Sequence, residues 1–350
     1  MVSDIIFYHK NVRGKQQKKE NGDYGSAEVA GQSFSNEAFG RIMVAKITRT
    51  ILAGMLVFFI SYLPSGLSCA GAEGTIDADG FLVVIVPPPR TTVMVNPGTS
   101  PDEALLQTAY AGGETLRYAV SWLGIKAGEL VMQVSKIDDK PETFAIAVTA
   151  KSAGLLDVFY PIEDRFLTIV QGRMRLPSRH EMQQKEGRRV NSKLTLYDQE
   201  KFCVSSRRND EPPEVFQVEG PMQNEFSSFF IMRALPFAGD APMVVPTFAD
   251  KKRHEVVVAV VAKEEQQSVL GKKNTIKVQP HLKFKGMYEK VGDPVIWLTD
   301  DAWRIPTRIQ AKIVIGSLTA ELIEYSGPAG HFTFTGTPKE LPRQSPADTR

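Results

Sequence analysis

The sequence predicts a mainly β protein: a long antiparallel meander curled into an open or half barrel, with one helix packed on its concave side. Three observations lead there. Between Gly113 and Glu324 apolar residues recur at every second position in run after run. Glycine, proline and aspartate punctuate those runs at short intervals. Only residues 223–235 show convincing helical spacing in the same span. Alternation gives each strand one apolar face, the pattern of an antiparallel sheet covered on one side.

The chain opens with a segment that reads as an address. Residues 1–42 are polar, cluster Lys15, Lys18 and Lys19, and show no apolar period, so they read as a non-native or disordered extension. Met43 is well placed as the true start, a point that mass spectrometry of the preprotein would check. Lys46 and Arg49 then precede the apolar residues 51–63, and Ala70 and Ala72 follow. A basic region, a short apolar core and small residues at the end describe a secretory signal peptide over 43–72. The expected location is the periplasm. The alternative is a membrane anchor by an uncleaved 51–63 segment, which falls short of the roughly 20 residues that span a bilayer. Cys69 raises lipid attachment, but Gly66 stands three residues before it where a leucine-like residue is wanted.

Residues 73–112 read as a linker. The apolar residues 81–86 stop at Pro87, Pro88 and Pro89, further breakers follow, and residues 102–110 suit a short helix. The β-rich domain is expected over 113–325, with a flexible tail over 326–350. Within the domain, Leu116, Tyr118, Val120 and Trp122 share a face, and residues 124–128 read as a compact turn. Strands follow at 129–136 and 143–151. An apolar and aromatic cluster at 155–161 breaks the rhythm. Residues 163–171, 177–185, 189–197 and 201–206 resume it, with a well-solvated face of Arg, Lys and Gln. In the helix over 223–235, Phe226, Phe229 and Phe230 form a stripe of core type, and Pro236 ends it. Strands return at 243–248, 253–262, 275–285, 294–299 and 304–315. Asp300 and Asp301 turn the chain between the last two.

Little in the sequence carries chemistry. It has no phosphate-binding glycine loop and no nucleophile elbow. His180, His254, His281 and His331 are scattered, so neither metal nor cofactor is implied. Asp157, Glu163 with Asp164, and Asp300 with Asp301 are the candidate acids. Adjacent acids on a strand point apart, Asp164 next to Arg165 suits an ion pair, and Asp300-Asp301 suits turn chemistry. No nucleophile, base and orienter come together in the sequence, so catalytic residues are not expected. Without residues 1–72 the acidic and basic residues nearly balance, which argues against nucleic acid as partner. Cys203 is then the single cysteine and reads as a buried structural thiol. Aromatic residues gather near turns: Trp122, Phe159, Tyr160, Phe284, Tyr288, Trp297 and Trp303. In a curved sheet these seven would line an apolar groove, the candidate ligand site, although aromatics fill ordinary cores as well.

Several landmarks carry a family resemblance. Residues 116–128, residues 154–160 with Asp164-Arg165-Phe166, and residues 276–286, 296–301 and 304–306 occur in an order that resembles the bacterial exported family of domain of unknown function 3108 (DUF3108). The resemblance covers about residues 113–324. It implies an exported, β-rich envelope protein with no established activity, and it supplies no catalytic residues. A half barrel with a helix is also the shape of periplasmic lipoprotein carriers, a likeness of architecture alone. The expected function is non-enzymatic binding of a lipid or other apolar ligand. The alternatives are a structural or assembly factor that binds another envelope protein, and a carbohydrate-acting hydrolase. Contact with the membrane after signal removal is expected to be peripheral at most.

Overall fold

Alternating burial is the rule along the chain of this computed structural model, and it fixes which face of each strand turns inward. The structure describes the backbone of residues 73–76 and 82–85, and residues 98–237, 242–249, 251–282, 293–313 and 316–334. The segments expected as extension and signal peptide lie outside the described residues, as do Phe284 and Tyr288.

Two short strands, β1 (Glu73–Ile76) and β2 (Leu82–Ile85), pair with each other. Helix α1 (Glu103–Ala109) precedes the main meander. The meander runs β3 (Glu114–Trp122), β4 (Ile125–Lys136) and β5 (Thr143–Ser152), then the one-turn helix α2 (Leu155–Phe159). It continues as β6 (Ile162–Gln171), β7 (Leu176–Glu186), β8 (Arg189–Asp198), β9 (Cys203–Arg208) and β10 (Glu214–Gln217). Helix α3 (Glu225–Arg233) follows. The close is β11 (Met243–Ala249), β12 (Lys252–Ser268), β13 (Gly271–Leu282), β14 (Val295–Thr299), β15 (Pro306–Lys312), β16 (Ser317–Gly327) and β17 (Gly330–Thr333).

All strands from β3 onward join one 15-stranded antiparallel sheet in the order β10-β9-β8-β7-β6-β5-β4-β3-β16-β15-β14-β13-β12-β11, with β17 on β16. The single non-local pairing in that path is β3 with β16, which joins the start of the meander to its end. Register shifts at Val120/Ser121, Ile169/Val170 and Val260/Ala262 add local twist, which helps a wide sheet to curl. The sheet does not close into a barrel. Its outer strands, β10 and β11, share no ladder, and side chains fill the seam. Phe216 of β10 and Tyr197 of β8 both meet Phe248 of β11, with ring centroids 5.9 and 6.1 Å away. Lys251 pairs with Glu214 at 2.7 Å across the same seam. The open edge of β11 is blunted as well. Thr99 exchanges backbone and side-chain bonds with Val244, while Gln223 donates to Pro246 O and accepts from Phe248 N.

Helix α3 starts where the sequence supplies a reciprocal cap. The Asn224 side chain accepts from Phe226 N and Ser227 N, and the Ser227 hydroxyl accepts from Asn224 N. Phe226, Phe229, Phe230, Ile231 and Met232 are all buried in the main core. Both helix ends are tied to strand ends or turns on one side of the sheet. Asn224 donates to Thr168 on β6, and Arg233 reaches Glu114, the first residue of β3. Helix α1 joins this plug: Asp102 N donates to Ala234 O, and Tyr110 packs edge-on to Phe144 at 5.5 Å. We call this the plugged end of the sheet. The opposite end carries the β3–β4 and β7–β8 turns and α2, and is the rim end.

Three expectations change. Residues 98–112 are part of the packed structure and no linker, because Leu106, Ala109 and Tyr110 have apolar surface that α3 covers. The turn expected over 124–128 is confined to Leu123-Gly124, since residues from Ile125 on pair with β3. Beyond Ser326, the chain still adds β17 to the sheet, with Phe332 against Tyr325 at 6.2 Å.

Candidate functional site

The inner face changes character from β5 to β9. Cross-strand partners share a face, so three rows can be followed across the ladders. The first runs Ala150, Asp164, Gln184, Asn191. The second runs Val148, Phe166, Met182, Lys193, Arg208, and the third Ile146, Thr168, His180, Thr195, Ser206. Each begins on apolar side chains of the core and ends on polar or charged ones. The alternation of Ile162, Asp164, Phe166, Thr168 and Val170, all buried, places Asp164 inward among hydrophobic neighbours.

Burial sets the electrostatics of this wall. Asp164 is wholly buried; its carboxylate accepts from Gln184 Nε2 at 3.3 Å and Lys185 N at 3.1 Å. Desolvation, with the nearby Glu186 carboxylate, pushes its pKa up to about 7. Glu186 is buried too and accepts from the Tyr160 hydroxyl at 3.4 Å. Burial likewise raises Glu225 on the first turn of α3, against the opposing pull of Lys193. His180 is held neutral: burial, then the Lys193 charge, lowers it to about 3. Its Nδ1 lies 2.9 Å from the Thr168 hydroxyl, which also accepts from Asn224 Nδ2 at 3.0 Å. This Asn224–Thr168–His180 chain anchors α3 to the polar strands, and the His180 and Phe226 rings stack at 5.4 Å. Lys193 and Arg208 are the half-buried cations of the wall. Among the described residues no group of three His, Cys, Asp or Glu is placed to hold a metal. Asp164 is therefore a buried acid held near its ionisation point beside a second buried acid.

The structure does not bring the described aromatic candidates together. Trp122 is half-buried against the core at the rim end of β3. Trp303 is half-buried at the plugged end, where its carbonyl accepts from Arg233 Nη2 at 3.1 Å. Trp297 lies outside the main core cluster. The Lys277 and Arg308 cations sit 5.0 and 5.2 Å from its ring, and its Nε1–H donates to Glu264. Phe159 is exposed on α2, and Tyr160 is half-buried beside Glu186. The candidate acids are dispersed. Asp157 on α2 accepts from Ser152 at the end of β5, and Asp301 organises the β14–β15 turn by accepting from Thr299 Oγ1, Trp303 N and Arg304 N. Arg165 pairs with Glu163 at 2.6 Å and not with Asp164, because residues two apart on a strand share a face. Cys203 is half-buried, and its thiol is pushed up by burial. Asp164 had a legible signal in the sequence, an acid inside the apolar repeat of its strand. Glu186, Lys193 and Arg208 had none, since in β8 the apolar alternates Val190 and Leu196 face out and the polar ones face in.

A curled antiparallel sheet with a helical plug and a graded inner wall defines a β-barrel-like architecture. Residues 117–323 match the model of the family described as "Protein of unknown function (DUF3108)", and the chain belongs to that family. No curated protein matches the chain. Among solved structures it is similar to a β-barrel-like protein of domain of unknown function DUF1849 from Brucella abortus. That pair is 10% identical, with 61% of this chain and 96% of the other covered and a TM-score of 0.45. It is also similar to a protein of Bacteroides fragilis with a YmcC-like fold, proposed to be exported. There the identity is 10%, the coverage 66% and 100%, and the TM-score 0.28. Among the described residues no helix is long and apolar enough to cross a membrane.

Proposed function

We propose that this is a non-enzymatic binding protein of the cell envelope that receives an amphiphile on its inner face. An acidic head group meets Lys193 and Arg208, the half-buried cations of the inner wall. The row Val148, Phe166, Met182, Lys193, Arg208 carries this reading: its apolar members are buried in the core, and on the same face it ends on half-buried cations. The signal-like segment 43–72 supports an exported protein. Asp157 and Asp301 lie apart from Asp164, and Asp164 and Glu186 are both buried, whereas glycoside hydrolysis needs two carboxyls open to one sugar.

The test is native mass spectrometry of the full chain recovered from envelope fractions, with titration by a fluorescent fatty-acid analogue. A bound amphiphile is expected. Lys193→Ala with Arg208→Ala weakens analogue binding at least about tenfold, the order expected when charged hydrogen bonds are lost. Lys277→Ala, beside Trp297, leaves it unchanged. A wild-type chain that is ligand-free and does not take up the analogue would end this reading.

A further inference from the structure

The rim end exposes apolar side chains that the packing of the sheet does not require. Leu123 is 59% exposed, Ile125 60%, Val158 and Phe159 76% each, and Val190 72%. They sit on or beside three successive connections at one end of the sheet: the β3–β4 turn, α2 between β5 and β6, and the β7–β8 turn. The connections touch in order. Ala153 N, just before α2, donates to Ala127 O on β4 at 2.9 Å. On the other side of α2, Gly187 N donates to Pro161 O at 2.8 Å, and the Tyr160 ring covers Gly187. The three connections thus adjoin along one end of the sheet, and we refer to their exposed apolar residues as one strip.

The local chemistry of the strip runs against ordinary turn design. Leu123 has φ 50° and Gly124 φ 80°, the two left-handed residues of a tight hairpin turn. Asparagine, aspartate or glycine suits the first of these positions, and leucine is both strained and wet there. Phe159 and Val158 lie on a helix of one turn that buries neither of them. Around the strip the exposed basic residues are Lys126, Arg188 and Arg189. Of the nearby acids, Glu129 lies 3.6 Å from Lys126 and offsets it, and the exposed Asp157 accepts from the neutral Ser152 hydroxyl, which leaves Arg188 and Arg189 as the basic pair of the strip.

We propose that this strip docks on the surface of an anionic phospholipid bilayer. Leu123, Val158 and Phe159 enter the boundary between head groups and acyl chains, and Arg188 and Arg189 lie at the level of the phosphates. Apolar residues ringed by basic ones are the signature of interfacial binding, strengthened by anionic lipid. The strip spans three separate connections and carries Arg188 and Arg189 beside its apolar residues, a charge that matches anionic lipid. A fluid bilayer conforms to such a surface. The proposal stands apart from the ligand reading, because it depends on no residue of the inner wall.

The experiment is hydrogen–deuterium exchange of the full chain with vesicles of phosphatidylglycerol and phosphatidylcholine. Protection is expected at residues 121–127, 154–160 and 186–191, and not at the plugged-end turns 172–175 and 199–202. It should weaken several-fold in 0.5 M salt and with pure phosphatidylcholine, as screening and lipid charge require. Leu123→Asp with Phe159→Asp should reduce the local protection at least about tenfold, since two apolar anchors become charged. Should that pair fail to fold, Phe159→Ser alone carries the test at an exposed site. Three results overturn the proposal: no protection of the strip, equal protection at both ends, or the same protection without vesicles as the chain concentration rises, which would mark a second copy as the occupant. The reading at 121–191 is local, so any membrane affinity of residues 51–63 is common to all variants and does not enter it.

Discussion

At the plugged end Arg233 is wholly buried, and its guanidinium donates to both Glu114 oxygens, at 2.6 and 2.9 Å, and to the carbonyls of Arg304 and Trp303. On the rim side Asp164 is as deeply buried but faces another acid, Glu186, while Phe159 stands in solvent. The same sheet therefore carries two regimes. One end matches its buried charges with opposite charges and donors and covers its apolar groups with helices. The other keeps a buried acid near its ionisation point and leaves apolar groups uncovered. The first pattern is what stability selects. The second is what a stable scaffold tolerates where it meets something else.

The contrast can be broken most strongly at the ion pair. Arg233→Met strands the Glu114 carboxylate in the core and should lower the unfolding free energy by about 3–5 kcal/mol; adding Glu114→Leu should restore most of it. Urea denaturation of the two variants measures this, and an unchanged midpoint in the single variant would mean that the plug does not hold the fold. Next in size is the pH response of Asp164. Its folded pKa of about 7 lies above its ordinary carboxylate value, so the fold holds the proton more tightly than the unfolded chain. Stability from this group is complete below the unfolded pKa and falls as pH rises through about 7. Asp164→Asn should remove that decline, on the order of 2–4 kcal/mol between pH 4 and pH 8. His180 has the opposite sign. Its folded pKa is depressed to about 3, so its contribution is complete above the ordinary histidine value and is lost on acidification. Melting curves of wild type, Asp164→Asn and a His180→Gln control across this range separate the two slopes.

A smaller effect belongs to the cap. Asn224→Ala removes the bonds to Phe226 N and Ser227 N together with the one to Thr168, and should cost about 1–2 kcal/mol. The smallest changes belong to the rim, where substitution should be harmless or favourable. Leu123→Asn is expected to raise stability by about 0.5 kcal/mol, because asparagine accepts φ 50° more readily and leaves no leucine in water. Phe159→Ser should stay within about 0.5 kcal/mol of wild type in chemical denaturation. A large loss at either position would mean that the rim is structural, and the comparison between the ends would fail.

Sequence reading was strongest where one face of a strand is apolar. In β3, β5 and β6 the alternation of Leu116, Tyr118, Val120 or of Ile162, Phe166, Val170 told strand from helix and inside from outside at once. The cap at Asn224 and the stripe of Phe226, Phe229 and Phe230 did the same for α3. Reading failed for Trp297. Its strand is buried on both faces, so period two gave no direction, and Lys277 and Arg308 cover the ring on one of them. It failed as well for β8, where the apolar alternates Val190 and Leu196 face out and Lys193 faces in, against the usual rule.

By itself, then, the sequence determined the antiparallel meander, the position of its one long helix, and the turn at Asp300-Asp301, because these depend on local period and on turn and cap chemistry. Tertiary structure decided which end the helices plug, which polar residues face inward, and which apolar residues are left in water. Those outcomes depend on the pairing of β3 with β16 and on the curl that brings β10 toward β11. Both are contacts between residues far apart in the chain, and no local pattern specifies them.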